Sequence, residues 1–405
     1  MDEANRLLPG VPTTGARTQY QLWRLTAYGS LTYQDLFTGY VEGIDASAFG
    51  YDAPLTPVGI DVNRADLLRY YAEINIGDLG AGNLSYRYGR QFLKYGSQHV
   101  LSNLGWGNTY RNFEGHKLLY QGEDWSIDAF AMNSVNAAAG GSKFDSEAYD
   151  TPDHDRQVNG IYSTYSGLKN NTLDFYWIWS LEENPNPMRH DGDRHTLGVR
   201  WAGKKPVEDL CEVVGTWAWD IEGAYQFGED NFGGVNQDVQ AGFFSALAGY
   251  TFNALPGSPT FNGIFFWGSG DDDPTDGEIN TVYTLYPLGH AYWGLIDNFS
   301  GQNLLDSALQ ASIKPHNKVS CSGTFHWFHR ATENDSVYNI VGAGFATGTP
   351  GRHIGNELDL VTTFTINSSM NVQLGYFWFW YGDAIENGAP RPDASQFYCQ
   401  TVLDF

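Results

Sequence analysis

Arginine is the residue type around which the chemistry of this sequence gathers. Arg24, Arg69, Arg87, Arg194, Arg200 and Arg330 fall at the polar positions of segments in which apolar and polar residues alternate. Glu73, Asp128, Glu357 and Asp359 hold equivalent positions. Arg90 breaks the alternation three places after Arg87, through a bulge at Gly89 or a strand end, and Arg111 lies in a loop that could fold inward. A guanidinium grips a carboxylate through two parallel hydrogen bonds. Such a set suits passing contact with acidic solutes, or else ion pairs that brace a wall. Rings of charged side chains around water are also what sets selectivity in a pore. Bond-making chemistry has no comparable signature, because Ser, His and Asp are plentiful but no nucleophile elbow joins them. Asp271, Asp272, Asp273, Asp276 and Glu278 miss the spacing of a calcium loop. His190, Asp191, Asp193 and His195 miss that of a zinc site. No metal, no cofactor and no enzymatic activity are expected.

The elements that position these residues read as strands. Leu84, Tyr86 and Tyr88 share one face of an extended segment, and Ser85, Arg87 and Gly89 share the other, because side chains alternate with period two. A soluble core shuns charge at this density; a wall with lipid outside and water inside accepts it. The pattern recurs. Leu173, Phe175, Trp177 and Trp179 oppose Asp174, while Leu197, Val199 and Trp201 oppose Arg194 and Arg200. Val319, Cys321, Phe325 and Trp327 oppose His326 and Arg330, and Leu358 and Leu360 oppose Glu357 and Asp359. Leu68, Tyr70, Phe175, Trp177, Val199 and Trp327 are expected to point outward. The aromatic run Tyr376 to Tyr381 is expected in a girdle at the membrane surface.

Composition agrees. Gly 47, Trp 13, Tyr 25 and Phe 24 in 405 residues form an all-β palette. No apolar run approaches the roughly 18 residues of a membrane helix, which leaves a membrane barrel open because its strands hide half their residues in lipid. A formal charge of -24 excludes nucleic acid as a partner, since phosphate contacts need basic surface. Cys211, Cys321 and Cys399 are odd in number, and no disulfide framework is expected. The start Met1-Asp2-Glu3-Ala4-Asn5 lacks the basic and apolar regions of a signal peptide.

Candidate strands, 17 in number from near 18–29 to 395–405, come in pairs. Short turns such as Gly80-Ala81-Gly82 and Asn367-Ser368-Ser369 alternate with long polar loops near 46–65, 94–112, 135–155, 181–193, 269–303 and 331–355. Short turns at one end and long loops at the other is the asymmetry of an outer-membrane barrel. The last segment, Tyr398 to Phe405, alternates and ends in phenylalanine, like the terminal strand of such barrels.

Tyr86-Arg87-Tyr88-Gly89-Arg90-Gln91, followed by Trp106, Asn108, Arg111 and Phe113, resembles one region of the alginate export porin family. Ile354-Gly355-Asn356-Glu357-Leu358-Asp359-Leu360-Val361 resembles another, with Gly382-Asp383-Ala384 following at similar spacing. The resemblance implies a monomeric transmembrane antiparallel up-and-down barrel of eighteen strands in the outer membrane, with a charged constriction for polyuronate chains. It makes residues 1–16 an N-terminal extension or the remnant of a preceding segment, and 17–405 the barrel. The first strand is then missing, so the strand near Arg17 and the strand ending at Phe405 should flank a gap. The alginate exporters of the family carry arginines where Gln373 and Gly375 stand here. The expected role is passive export or diffusion of anionic saccharides or small anionic solutes through an arginine-lined lumen. The expected constriction is lined by Arg69, Arg87, Arg90 and Arg200 and divided by Glu357 and Asp359. A general diffusion porin and a soluble carbohydrate-binding β-protein remain alternatives.

Overall fold

A computed structural model of the chain describes residues 2–4, 17–50, 60–136, 149–183, 191–210, 212–232, 235–388 and 390–405. His190 and Cys211 lie outside the described residues; Cys321 and Cys399 are free thiols. The alternating segments form one antiparallel meander. Arg17–Gln19 leads into Gln21–Tyr33, and then Phe37–Phe49, Asn63–Leu79, Gly82–Gln91, Phe113–Gly122, Trp125–Asn136, Thr151–Tyr165 and Asn171–Glu182 follow. Gly192–Asp209, Glu212–Phe232, Val235–Thr251, Thr260–Gly268, Leu304–His316, Val319–Arg330, His353–Asn367, Met370–Tyr381 and Ala394–Leu403 complete it. Turns such as 80–81, 123–124 and 317–318 occupy one end, and the long loops occupy the other.

The expected closed barrel, about 18 strands in the parent chain, is not what the sheet forms. Among the described residues no ladder joins the first long strand, Gln21–Tyr33, to the last, Ala394–Leu403. Only Asp2–Ala4 lies between them, pairing three residues with Arg17–Gln19 and three with Ser395, Gln396 and Phe397. A barrel removes its edges by giving every strand two neighbours along its length. Among the described residues the seam is joined at one end only. The architecture is all-β and antiparallel, one curved sheet wrapped around inward-folded loops.

The outer face is apolar as the alternation requires. Phe175, Trp177, Val199 and Trp327 are exposed large hydrophobics, at 37–48% of their full areas. Leu68 differs from the expectation and is only 1% exposed. The ladder between Phe37–Phe49 and Asn63–Leu79 slips between Glu42 and Gly43, which pair with Arg69 and Leu67 and leave Leu68 as the extra residue. A bulge of this kind re-aims one side chain, and Leu68 joins Ile44, Ala46, Phe92 and Tyr110 inside. Tyr376 to Tyr381 also departs from a simple girdle. Phe377 and Phe379 are fully buried on the inner face, Phe379 against Phe299 and Phe328 and Phe377 against Tyr398, whereas Tyr376 and Trp380 are exposed.

Candidate functional site

The interior is crossed by two long loops that hydrogen-bond to each other. Residues 94–112 and 280–303 meet where the Ser102 amide donates to the Tyr286 carbonyl (2.8 Å), the Tyr286 amide to Val100 (3.0 Å) and the Leu288 amide to Gln98 (2.9 Å). Trp106 stacks on His290 at 3.9 Å between centroids, and Tyr292 lies 4.0 Å from His99. Arg111, the loop arginine expected to fold inward, donates to the carbonyls of Ser102 (3.3 Å) and Pro287 (3.2 Å), and its guanidinium lies over Tyr286. Burial lowers Arg111 to about 10, which leaves it charged at neutral pH. A half-buried cation facing carbonyls is a charge-assisted staple, and here it binds the loops into one strap.

The strap is tied to the wall on several sides. Asn108 donates to the carbonyls of Trp23, Ser47 and Asp61, and Arg24 to the carbonyl of Gly107 at 2.6 Å. Tyr95 donates to Asp128 (2.7 Å), Ser97 to Asp220 (3.1 Å), and His99 pairs through Nδ1 with Glu222 (2.8 Å). Gly96 has φ +50, and a Cβ there would meet the Tyr162 hydroxyl at 2.4 Å, so the strap seats against the wall only with glycine. Burial, with the carboxylates of Asp220 and Glu222 next, holds the Tyr292 phenol above its ordinary value, and the neutral hydroxyl donates to the Ser97 carbonyl. On the far side the Leu295 amide donates to Asp359 (3.2 Å) and the Ile296 amide to Glu357 (2.8 Å). Glu357 and Asp359 stand two places apart on one strand face, at 0% and 2% exposure, beneath the loop.

The remaining charges sort by burial. Arg69 pairs with Glu42 at 2.6 Å and lies over Tyr40 and Phe92. Arg87 pairs with Glu73 at 2.7 Å and lies over Tyr71. Tyr28, Tyr40 and Tyr71 stack in sequence beside them. Lys117 pairs with Asp128 at 2.6 Å. Arg200 joins Asp174 (2.8 Å) to Asp220 (2.7 Å), and Arg194 joins Asp230, Gln226 and the Thr281 carbonyl. Arg330 points its donors at backbone carbonyls of the 331–352 loop. Arg90 lies elsewhere. Its ladders run without a register shift from Arg87, so the two fall on opposite faces. At 3% exposure it bonds Glu114 and the carbonyls of Leu67 and Asp150 at the loop-end rim.

Sequence reading missed Ser97, His99, Glu222 and Tyr292, which sit in loops or on a distant strand and meet only through the strap. The acidic loop residues considered for calcium instead receive backbone amides: Asp271 from Asp273, Asp273 from Thr275 and Asp276 from Glu278. No group of metal-ligating side chains forms among the described residues. His195 stacks on Trp177, Trp179 and Phe227 on the outer face.

The rim gives a pH-dependent expectation. Burial, and then the neighbouring Asp66 carboxylate, raises Asp150 to about 7, against an ordinary value of about 3.9. A carboxyl raised in the folded state stabilises docking below the ordinary value and loses that contribution as pH rises through about 7. The Asp150 amide, which donates to Asp66 at 2.7 Å, should therefore lose hydrogen-exchange protection between pH 5.5 and 8.5 after correction for intrinsic rates. Asp150→Asn should flatten that dependence, and an unchanged profile in the variant would assign it to another group.

The profile of the alginate export family matches residues 9–398. No curated protein sequence matches. Among solved structures, the chain is similar to the outer membrane protein OprD from Pseudomonas aeruginosa, at 12% identity and TM-score 0.57, covering 96% of this chain and 90% of that one. It is similar to OccK8 (OprE) from the same organism, at 16% identity and TM-score 0.57, covering 99% and 96%. OccAB1 from Acinetobacter baumannii is 11% identical with TM-score 0.57, over 100% and 94%. At these identities the likeness is one of fold.

Proposed function

The chain belongs to the alginate export family, and on that premise we propose that it passes anionic saccharides of the polyuronate kind, as a monomer. It is a channel of the bacterial outer membrane, embedded in the lipid bilayer, and it transports rather than transforms.

The observation that supports a polyuronate is the state of Arg69 and Arg87. Both lie on neighbouring strands of the inner face, each with one carboxylate partner, and their side chains keep 25% and 22% exposure. Partly exposed ion pairs are worth about 0–1 kcal/mol, so a passing carboxylate can replace Glu73, at 25% exposure, on Arg87 at little cost, whereas the Glu42 side chain at 8% holds Arg69 more firmly. A uronate chain offers such carboxylates in series, and the guanidinium binds each through two hydrogen bonds. Arg24, whose contacts are a carbonyl and the Tyr110 ring, extends the same track. Arg90, Arg111, Arg194, Arg200 and Arg330 brace instead, because their partners are buried or are backbone carbonyls. Arg200 cannot exchange cheaply, since Asp174 at 2% exposure would be left as a buried lone charge.

A second reading, a general diffusion pore, is favoured by the acid standing beside each of Arg69, Arg87 and Lys117. That pairing brings the local charge of the track close to neutral. Planar-bilayer recording of Arg69→Ala/Arg87→Ala separates the two. The saccharide reading expects permeability to shift toward cations and block by oligouronates to weaken about tenfold, which corresponds to about 1.4 kcal/mol. An unchanged reversal potential and unchanged block would sink it and leave the diffusion pore.

A further inference from the structure

Between the strap and the wall opposite the arginine track lies a cavity of about 220 Å³. We propose that it is a subsite for one uncharged sugar ring, separate from the arginine track. Its volume falls short of the ~300 Å³ at which pockets for drug-sized ligands begin, so it takes a ring and not a chain.

The lining has two characters. Hydroxyl and amide groups come from Ser97, Ser245, Gln310, Ser322 and Thr324, and apolar surface comes from Leu247, Ile264 and Val361. A pyranose presents the same division, with equatorial hydroxyls at its edge and C–H groups on its face. Among the described residues no lysine or arginine lines the cavity, which disfavours a carboxylate there. Asp220 is already neutralised by Arg200.

One buried lining group also awaits a partner. The Nε2 of His99 makes no hydrogen bond, although the residue lines the cavity and is only 5% exposed; Asp359, which also lines it, is hydrogen-bonded to the neighbouring Glu357 carboxyl. His99 uses Nδ1 on Glu222, and Asp359 uses Oδ2 on the Leu295 amide. A buried polar atom left without a partner costs roughly 1–3 kcal/mol. A ligand hydroxyl can satisfy the imidazole nitrogen, which a purely apolar guest cannot. Gln310, held by Asn262 and itself donating to Thr324, is fixed in orientation at the edge of the site.

This inference rests on the interior being accessible to solutes, but not on the anionic reading, and glucose serves as the probe. In detergent, saturation-transfer NMR on the full chain should show glucose binding. Glucose should also lower single-channel conductance beyond its effect on bulk electrolyte. Ser322→Trp, which fills the cavity from the wall, should weaken both effects at least tenfold. Ser245→Phe fills it from another strand and replaces Ser322→Trp if that variant does not fold. Arg87→Ala should leave glucose binding within twofold while altering oligouronate block, so failure of the anionic reading remains distinguishable. Absence of glucose transfer to the wild-type protein, or equal binding by a folded cavity-filled variant, overturns the proposal.

Discussion

Channels carrying Gly294→Val should conduct several-fold more current than the wild type. Gly294 has φ +84, a conformation open to glycine and strained for a β-branched residue. A Cβ there would stand 2.5 Å from the Glu357 carboxylate. The substituted loop cannot seat, and the Leu295 and Ile296 amides leave Asp359 and Glu357. Each lost bond to a buried acceptor removes about 1–3 kcal/mol, and every 1.4 kcal/mol changes the released population about tenfold. The strap crosses the interior, so its release widens the path. Glu357→Ala should act in the same direction, whereas Glu357→Gln keeps an acceptor for Ile296 and should stay near wild type. Wild-type conductance from folded Gly294→Val protein would mean that this end of the strap does not obstruct flow.

Arg330→Met should detach the 331–352 loop. The guanidinium donates to the carbonyls of Gly351 (3.0 Å), Glu333 and Asp335 (3.2 Å each) and Thr349 (2.6 Å), all from one loop, with the side chain 1% exposed. Methionine fills the volume and supplies no donor. Each carbonyl left buried without a partner costs about 1–3 kcal/mol, and the four together exceed what an exposed loop gains by staying docked. Lysine should rescue only in part, because a point ammonium does not reproduce the planar fork. The effect should travel, since Asp335 also accepts from the Thr281 hydroxyl (2.6 Å) at the base of the strap. Limited proteolysis should cut within 331–352 in the variant while the wall strands stay protected. Equal protection of that loop in both proteins would show that the other contacts hold it without Arg330.

The period-two alternation was local and therefore readable. Phe175, Trp177 and Val199 face outward and Arg69 and Arg87 inward because a strand's pleat assigns faces by position alone. The short turns and long loops followed from Gly, Asn and Pro for the same reason, while the segments Tyr86–Gln91 and Ile354–Val361 carried the resemblance to the family. Leu68 escaped that logic, since a bulge depends on how two strands register and a single strand does not record it. Arg90 was ambiguous until its unbroken ladders placed it on the outer side at the rim. The seam too was decided in three dimensions, because an edge exists only relative to the strand that fails to cover it. The strap was the largest omission. Ser97 meets Asp220, His99 meets Glu222 and Ile296 meets Glu357 across separations of 61 to 123 residues, and no local periodicity encodes such contacts. Phe379 is buried inside a polar wall where the strap brings Phe299 to it. Apolar side chains seek whatever surface excludes water, and on the inner face that surface comes from a loop far away in sequence.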